Sequence, residues 1–224
     1  MEDHLKFKHP FTCIVAGQTG SGKTSSVIKL LQKLDSLCTA PRFEGDIIWC
    51  YSEETAVPRQ QLDKLRLNIT YQEGLTETYG NARGDPSLII LDDLLQHVCS
   101  KDVCDLFTKG SHHRNTSVLL LTQNIFHQPH TFETSLNAKY LVLLKNVRDK
   151  NQFTFLARQV YPEHSQSLYD SYKNATLRPH GYFILDFAQD TDERLRFRTH
   201  VLPDEGPPIV YAPINDETDK VQLS

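Results

Sequence analysis

The sequence predicts an α/β fold in which helices cover both faces of a mostly parallel β-sheet. The main observation is a series of short, continuously apolar runs at positions 11–17, 87–93, 117–124 and 139–146. Strands buried on both faces have this continuous pattern, whereas strands with one solvent-exposed face alternate. Segments with helical spacing of apolar residues separate the runs, which favours parallel strands joined by helices. The chain length of 224 residues suits one such domain.

Each predicted element follows from a local pattern. The first strand leads into a helix over residues 24–37, whose apolar residues have helical spacing at Val27, Leu30, Leu31 and Leu34. The other predicted elements are a strand at 46–53, short pieces within 54–86, a strand at 87–93, a helix at 94–109, strands at 117–124 and 139–146, helices at 151–160 and 163–175, and a terminal strand pair at 181–188 and 195–202. Because proline and acidic residues dominate beyond them, we expect one domain over 1–202 and a loose tail over 203–224.

Composition narrows the class of protein. The net charge of −4 gives no sign of a nucleic-acid partner, which would require a local basic patch. No stretch approaches the roughly 20 apolar residues of a membrane span, so no membrane partner is expected. The first ten residues lack the apolar core of a signal peptide, and the five cysteines are an odd number that fits reduced thiols. The expectation is an intracellular protein.

A phosphate-binding motif lies between the first strand and the first helix. Residues 17–24 read GQTGSGKT, a complete G-x-x-x-x-G-K-[ST] sequence in the strand–loop–helix context that the motif requires. Glycines allow the tight turn, and the backbone N–H groups and the helix N-terminus attract phosphate. Lys23 is expected to reach the β- and γ-phosphates, and the Thr24 hydroxyl to bind Mg²⁺. The predicted nucleotide-binding residues are Gly17, Gln18, Thr19, Gly20, Ser21, Gly22, Lys23, Thr24 and Ser25.

Two acids, Asp92 and Asp93, end the strand at 87–93, and Asp92 lies 69 residues after Lys23. We expect Asp92 to hold Mg²⁺ as the Walker B acid, directly or through water. Asp93 is then the candidate that orients and deprotonates the attacking water. The alternative for either aspartate is a helix N-cap.

A polar strand end follows at Thr122, Gln123 and Asn124. Ligands of open α/β sheets bind at the carboxyl ends of the strands, where these side chains are expected. If this strand lies between the loop strand and the acid strand, Gln123 can contact the γ-phosphate or its water. A turn that favours asparagine is the alternative.

The class of nucleotide-binding protein is narrowed by motifs that are missing. A GTPase needs an N-K-x-D sequence, whereas residues 143–149 have similar letters in the wrong order. A nucleotide kinase needs an arginine-rich lid, and no arginine-dense segment is visible. The strand at 117–124, which follows the two acids in the chain and ends in polar residues, favours a nucleic-acid motor. Such a motor would have an ASCE, RecA-like P-loop NTPase fold.

Three segments resemble the packaging ATPases of Polinton (Maverick) elements and related DNA viruses, within the FtsK/HerA superfamily that includes the poxvirus-type packaging ATPases. They are FTCIVAGQTGSGKT, LIILDDL and HHRNTSVLLLTQNIFHQ…SLNAKYLVLLKNVRDK, and the resemblance covers roughly residues 10–190. The resemblance implies an ATP-driven, homo-oligomeric ring that pumps double-stranded DNA into a preformed capsid. Its partners would be double-stranded DNA and a capsid or portal-vertex protein, at the assembling virion in the host nucleus or cytoplasm.

The resemblance also implies residue roles. Lys23, Thr24, Asp92 and Gln123 match the Walker A, Walker B and sensor positions. Many superfamily members have glutamate where this chain has Asp93, which makes the water-activating role less secure.

The superfamily places an arginine shortly before the sensor strand, where it reaches a neighbour's ATP. Arg114 occupies that place, with a solvated loop arginine as the alternative and Arg148 and Arg158 as weaker rivals.

Basic residues around the fourth apolar run are candidates for sequence-neutral contacts with DNA phosphates: Lys139, Lys145, Arg148 and Lys150. A solvated charged turn is the alternative. Three functions therefore compete: a DNA-translocating ATPase, a nucleotide kinase, and a nucleotide-dependent capsid-assembly scaffold without turnover.

Overall fold

The computed structural model describes residues 3–40, 43, 46–54, 57–75, 84–92, 94, 103, 105–107, 115–123, 125, 137–148, 151–202 and 204–212. Its strands are β1 (Thr12–Ala16), β2 (Ile47–Tyr51), β3 (Ile69–Glu73), β4 (Ser87–Asp92), β5 (Thr116–Thr122), β6 (Tyr140–Leu144), β7 (Tyr182–Asp186), β8 (Phe197–Thr199) and β9 (Ile209–Val210). Within the described residues they form one nine-stranded sheet in the order β3-β2-β4-β5-β1-β6-β7-β8-β9. The mixed, mostly parallel sheet confirms the predicted fold class.

The helices of the described residues are α1 (Lys23–Gln32), α2 (Leu34–Leu37), α3 (Arg59–Leu62), α4 (Asn151–Val160) and α5 (Ser165–Ala175). The prediction of one continuous helix over 24–37 is wrong, because Lys33 takes φ −128° and ψ 28° and separates α1 from α2. Most of the helix predicted over 94–109 lies outside the described residues. No described helix is long and apolar enough to span a membrane.

The parallel strands β1, β2, β4, β5 and β6 are buried between two apolar layers, whereas the edge strand β3 is partly exposed. In β1, Cys13 and Val15 pack into the layer that includes α1, whereas Ile14 and Ala16 pack into the layer that includes α4 and α5. Side chains of a strand alternate between faces, so a strand covered on both sides is apolar at most positions, and its polar residues are small ones near the strand ends, such as Thr12, Ser87 and Thr122. This explains the continuous apolar runs in the sequence.

The sheet ends in antiparallel strands, as the predicted terminal pair requires. β7 runs antiparallel to β6, and β8 antiparallel to β7. A fully buried ion pair, Arg198 with Asp186 at 2.9 Å, joins β7 and β8. β9 then pairs with β8, so Ile209 and Val210 belong to the sheet although a loose tail was predicted from residue 203. Residues 213–224 lie outside the described part of the chain.

Candidate nucleotide-binding site

The carboxyl ends of β1, β4 and β5 meet at one edge of the sheet, called here the loop edge. β5 lies between β1 and β4, with Ala16 paired to Thr122 and Asp92 paired to Leu121. Because neighbouring strands are about 4.8 Å apart, the end of β4 lies roughly 10 Å from the end of β1. The contact of Gln123 with the γ-phosphate was predicted on the condition that its strand lies between the loop strand and the acid strand. The observed strand order meets this condition.

The loop of residues 17–22 has a backbone that requires glycine. Gly20 and Gly22 have φ of 79° and 103°, where side chains are unfavourable. At Gly17 a Cβ atom would lie 2.5 Å from Ser21 Oγ and 3.0 Å from Leu144 Cβ, so the loop passes too close to β6 for a larger residue. The Gly17 N–H donates to the Thr122 carbonyl at 3.1 Å, which attaches the loop to β5.

The lysine of the motif is folded back onto the loop. Lys23 Nζ donates to the Gly17 carbonyl at 2.6 Å and the Gln18 carbonyl at 3.3 Å. Gly22, the residue before α1, has no side chain to cap the helix, and no acidic residue lies in the first turn. Thr24 is half-buried and Ser25 exposed in that turn. The helix N-terminus therefore keeps its positive potential for an anion.

Two buried polar atoms of the loop also fit a polar ligand. Among the described residues, neither Gln18 Oε1 nor Ser21 Oγ has a hydrogen-bond partner. Such groups are rare, since burial without a partner is unfavourable. Thr24 and Asp92 lie at the same edge and supply the hydroxyl and carboxylate oxygens that Mg²⁺ prefers. The residues present therefore fit a nucleotide with its metal ion.

Gln123 follows β5 directly and is exposed. It lines a small cleft at the loop edge together with Gly17, Asn146, Gln152 and Tyr172. The Asn146 N–H donates to Tyr172 Oη at 3.2 Å, and Tyr172 donates to the Leu144 carbonyl at 3.1 Å. Burial raises the pKa of Tyr172, which keeps it a neutral donor. The cleft thus adds amide groups beside the predicted sensor.

Sequence reasoning missed Asn146, Gln152 and His180. Asn146 follows an apolar strand run, the same signal that identified Gln123. His180 contacts the loop because β7 is antiparallel, and no local pattern around it indicates this. Its Nδ1 lies 2.9 Å from the Ser21 carbonyl oxygen.

Several predicted site residues lie outside the described residues: Asp93, Arg114 and Asn124. Asn115, the residue after Arg114, lies before β5 at the edge opposite the loop edge. The structure adds no test of the roles predicted for these three residues.

The basic residues around β6 do not form one cluster. Lys139 precedes the strand and Lys145 follows it, so they lie roughly 20 Å apart at opposite edges of the sheet. Lys139 is half-buried and donates to the Pro10 carbonyl at 2.7 Å, whereas Lys145 donates to the Leu177 carbonyl at 3.1 Å. Arg148 is exposed near Lys145, and Lys150 is outside the described residues. Lys139 and Lys145, both named as candidates for DNA contact, therefore do not belong to one patch.

The loop between β1 and α1, the acid that ends β4 and the intervening β5 define a P-loop NTPase fold. Among solved structures, the chain is similar to the genome packaging NTPase B204 from Sulfolobus turreted icosahedral virus 2 in complex with ATP-gammaS. The two chains are 12% identical, with a TM-score of 0.52 over 92% of this chain and 98% of that one. It is also similar to B204, the DNA-packaging ATPase from Sulfolobus turreted icosahedral virus, at 12% identity and a TM-score of 0.53 over 92% and 99%. No protein-family model and no curated protein matches the sequence.

Proposed function

We propose that the protein is an ATP-hydrolysing motor subunit that translocates double-stranded DNA into a viral capsid. The observation that carries this proposal is the position of β5 between the loop strand and the acid strand, because it brings Gln123 to the phosphate loop. The similarity in fold to B204 over almost the whole of both chains supports the same assignment. The Polinton and poxvirus-type relationship, the ring and the capsid or portal-vertex partner at the assembling virion belong to the proposal.

In this mechanism the loop N–H groups and Lys23 hold the phosphates. Lys23 exchanges its two carbonyl partners for phosphate oxygens, which neutralise its charge better than neutral carbonyls do. Thr24 and Asp92 would hold Mg²⁺, which would neutralise part of the phosphate charge. Asp93 accepts the proton of the attacking water and Gln123 orients that water.

Arg114 is assigned to the nucleotide of a neighbouring subunit. The support is geometric, because Asn115 lies at the opposite edge of the sheet from its own phosphate loop. If Arg114 acts on a neighbour's nucleotide, hydrolysis requires that subunits assemble.

The test is whether linear double-stranded DNA stimulates ATP hydrolysis by the purified protein. We expect a rise of several-fold that declines as salt is raised, because phosphate contacts are screened. Lys23→Ala protein is the control for contaminating ATPases. Phosphate transfer to a nucleoside or nucleotide would support a kinase instead. ATP binding without turnover, even with DNA, would support a scaffold.

A further inference from the structure

Residues 176–181, here called the strap, connect α5 to β7 beside the phosphate loop. β7 runs antiparallel to β6, so the segment that enters it lies at the loop edge. The Lys145 N–H donates to the Gly181 carbonyl at 3.1 Å, and Lys145 Nζ donates to the Leu177 carbonyl at 3.1 Å. The strap is therefore attached to the end of β6 at two points.

His180 of the strap contacts the loop at Ser21 and Gly22. Its Nδ1 lies 2.9 Å from the Ser21 carbonyl oxygen, and because that oxygen only accepts, Nδ1 carries the proton. A Cβ atom on Gly22 would lie 2.9 Å from Nδ1 and 3.3 Å from the His180 Cβ and Cγ atoms. The imidazole therefore occupies the space that a side chain at Gly22 would need.

This hydrogen bond fixes the orientation of a whole peptide group. The Ser21–Gly22 peptide is trans and planar, so its C=O and N–H point in opposite directions. When the carbonyl points to His180, the Gly22 N–H points away from the strap. Backbone N–H groups of this motif are the donors that hold the α- and β-phosphates.

The backbone of His180 has an uncommon conformation. Its φ of 59° lies in the left-handed region, where few residues other than glycine are found, with asparagine, aspartate and histidine enriched among them. Arg66, Asn115, His200 and Asp204 also have positive φ, so what distinguishes His180 is its contact with the phosphate loop.

We propose that His180 is a positioning residue that orients the Ser21–Gly22 peptide so that the Gly22 N–H meets the β-phosphate of the nucleotide. The proposal rests on nucleotide binding by the loop, one part of the proposed function, and does not depend on DNA translocation.

The test compares His180→Gly, His180→Leu and His180→Asn. Glycine adopts φ of 59° without strain but has no donor, and leucine keeps bulk without a donor. Asparagine tolerates this backbone and places its amide nitrogen where Nδ1 lies. His200→Gly is the matched control, because His200 has φ of 57° and follows β8, three strands from β1.

Dissociation constants for Mg-ATP and Mg-ADP are measured by equilibrium titration, with thermal melting of each variant. We expect His180→Gly and His180→Leu to weaken both nucleotides about tenfold, the scale of one lost hydrogen bond. His180→Asn should bind within about twofold of the parent, and His200→Gly should bind like the parent. ADP must be affected, because the β-phosphate is common to both nucleotides.

Parental affinity in folded His180→Gly protein would overturn the proposal. Equal loss in His180→Asn and His180→Leu would overturn it too, because the ring and not its donor would then matter. If the parent binds nucleotide but DNA does not stimulate hydrolysis, the proposed motor function is contradicted. The role of His180 is then still decided by the titrations alone. A parent that binds neither nucleotide would contradict both.

Discussion

The two edges of the parallel sheet contrast in how their polar groups are used. At the loop edge, Lys23 Nζ donates to two loop carbonyls, two glycines have positive φ, and Gln18 Oε1 and Ser21 Oγ have no hydrogen-bond partner among the described residues. At the opposite edge the amino ends of the strands carry polar side chains that bond to one another. The loop edge therefore has polar groups suited to binding a ligand, whereas the polar groups of the opposite edge stabilise the fold.

The opposite edge is organised around His9. The Asn115 side-chain oxygen accepts from His9 Nε2 at 2.9 Å, so the Ser117 hydroxyl donates to Nδ1 at 2.6 Å. Ser117 Oγ in turn accepts the Phe11 N–H at 3.1 Å. Lys139 is also satisfied there by the Pro10 carbonyl, and burial lowers the pKa of its ammonium group. Substitutions at this edge should therefore change stability, and those at the loop edge should change chemistry.

The largest effect is expected from a pair of matched lysine substitutions. Lys23→Ala should reduce ATP hydrolysis by at least about a hundredfold, because a preorganised charge on the phosphates is lost. Its melting temperature should change little, since Lys23 contacts carbonyls of the loop and does not belong to the apolar core. Lys139→Ala should do the reverse, with near-normal turnover and a melting temperature lower by a few degrees.

Steady-state hydrolysis and thermal melting of the two variants give the comparison directly. A folded Lys23→Ala protein with normal turnover would contradict the assignment of the loop edge. An inactive but stable Lys139→Ala protein would show that the opposite edge has a chemical role.

The second prediction concerns Arg114, the residue before Asn115 in the sequence. Arg114→Ala should reduce hydrolysis by about 10³-fold or more if the arginine acts on a neighbour's nucleotide. Mixing Arg114→Ala subunits with Lys23→Ala subunits should partly restore activity, because some interfaces then pair an intact loop with an intact arginine. The measurement is specific activity against mixing ratio, with hetero-oligomers verified by size. Mixed oligomers as inactive as their parents would place Arg114 outside catalysis in trans.

The smallest effect is a pH dependence of stability at the opposite edge. Burial lowers the pKa of His9 below its ordinary value of 6.5, outweighing the bond to Asn115, and the Lys139 charge acts in the same direction as burial. Below about pH 6.5 the unfolded chain therefore binds a proton that the folded chain resists, so stability falls as pH falls. From pH 7.5 to 5.5 the parent should lose a few degrees more in melting temperature than His9→Gln. Parallel curves would show that the pKa of His9 is the same in the folded and unfolded chains, which would contradict the prediction.

The strands were predictable because burial on both faces leaves a continuous apolar run. The run at 87–93 became Ser87–Asp92, and that at 139–146 became Tyr140–Leu144. The phosphate loop was equally visible, since its glycines and lysine are needed at fixed spacing by the backbone itself. The break at Lys33 was not, because neither glycine nor proline marks it.

Features that depend on distant parts of the chain were harder to predict. The strand order was not predicted, because local patterns do not specify which strands pair. The role of Gln123 could therefore be predicted only on the condition that β5 lies between β1 and β4. β9 is two residues long, too short for any periodicity. His180 lies 159 residues from Ser21, and its role follows only from the antiparallel direction of β7. Asp93 and Arg114 remain predictions.

The position of β1 in the sheet also has a consequence for synthesis. The phosphate motif is complete when residue 24 has been made, but the neighbours of its strand, β5 and β6, end only at residues 122 and 144. The strap arrives later still, at residue 180 of 224. Contacts of such high sequence separation form slowly, since the intervening chain must be ordered before they are gained. A chain emerging from the ribosome therefore has the nucleotide motif long before the framework that shapes it.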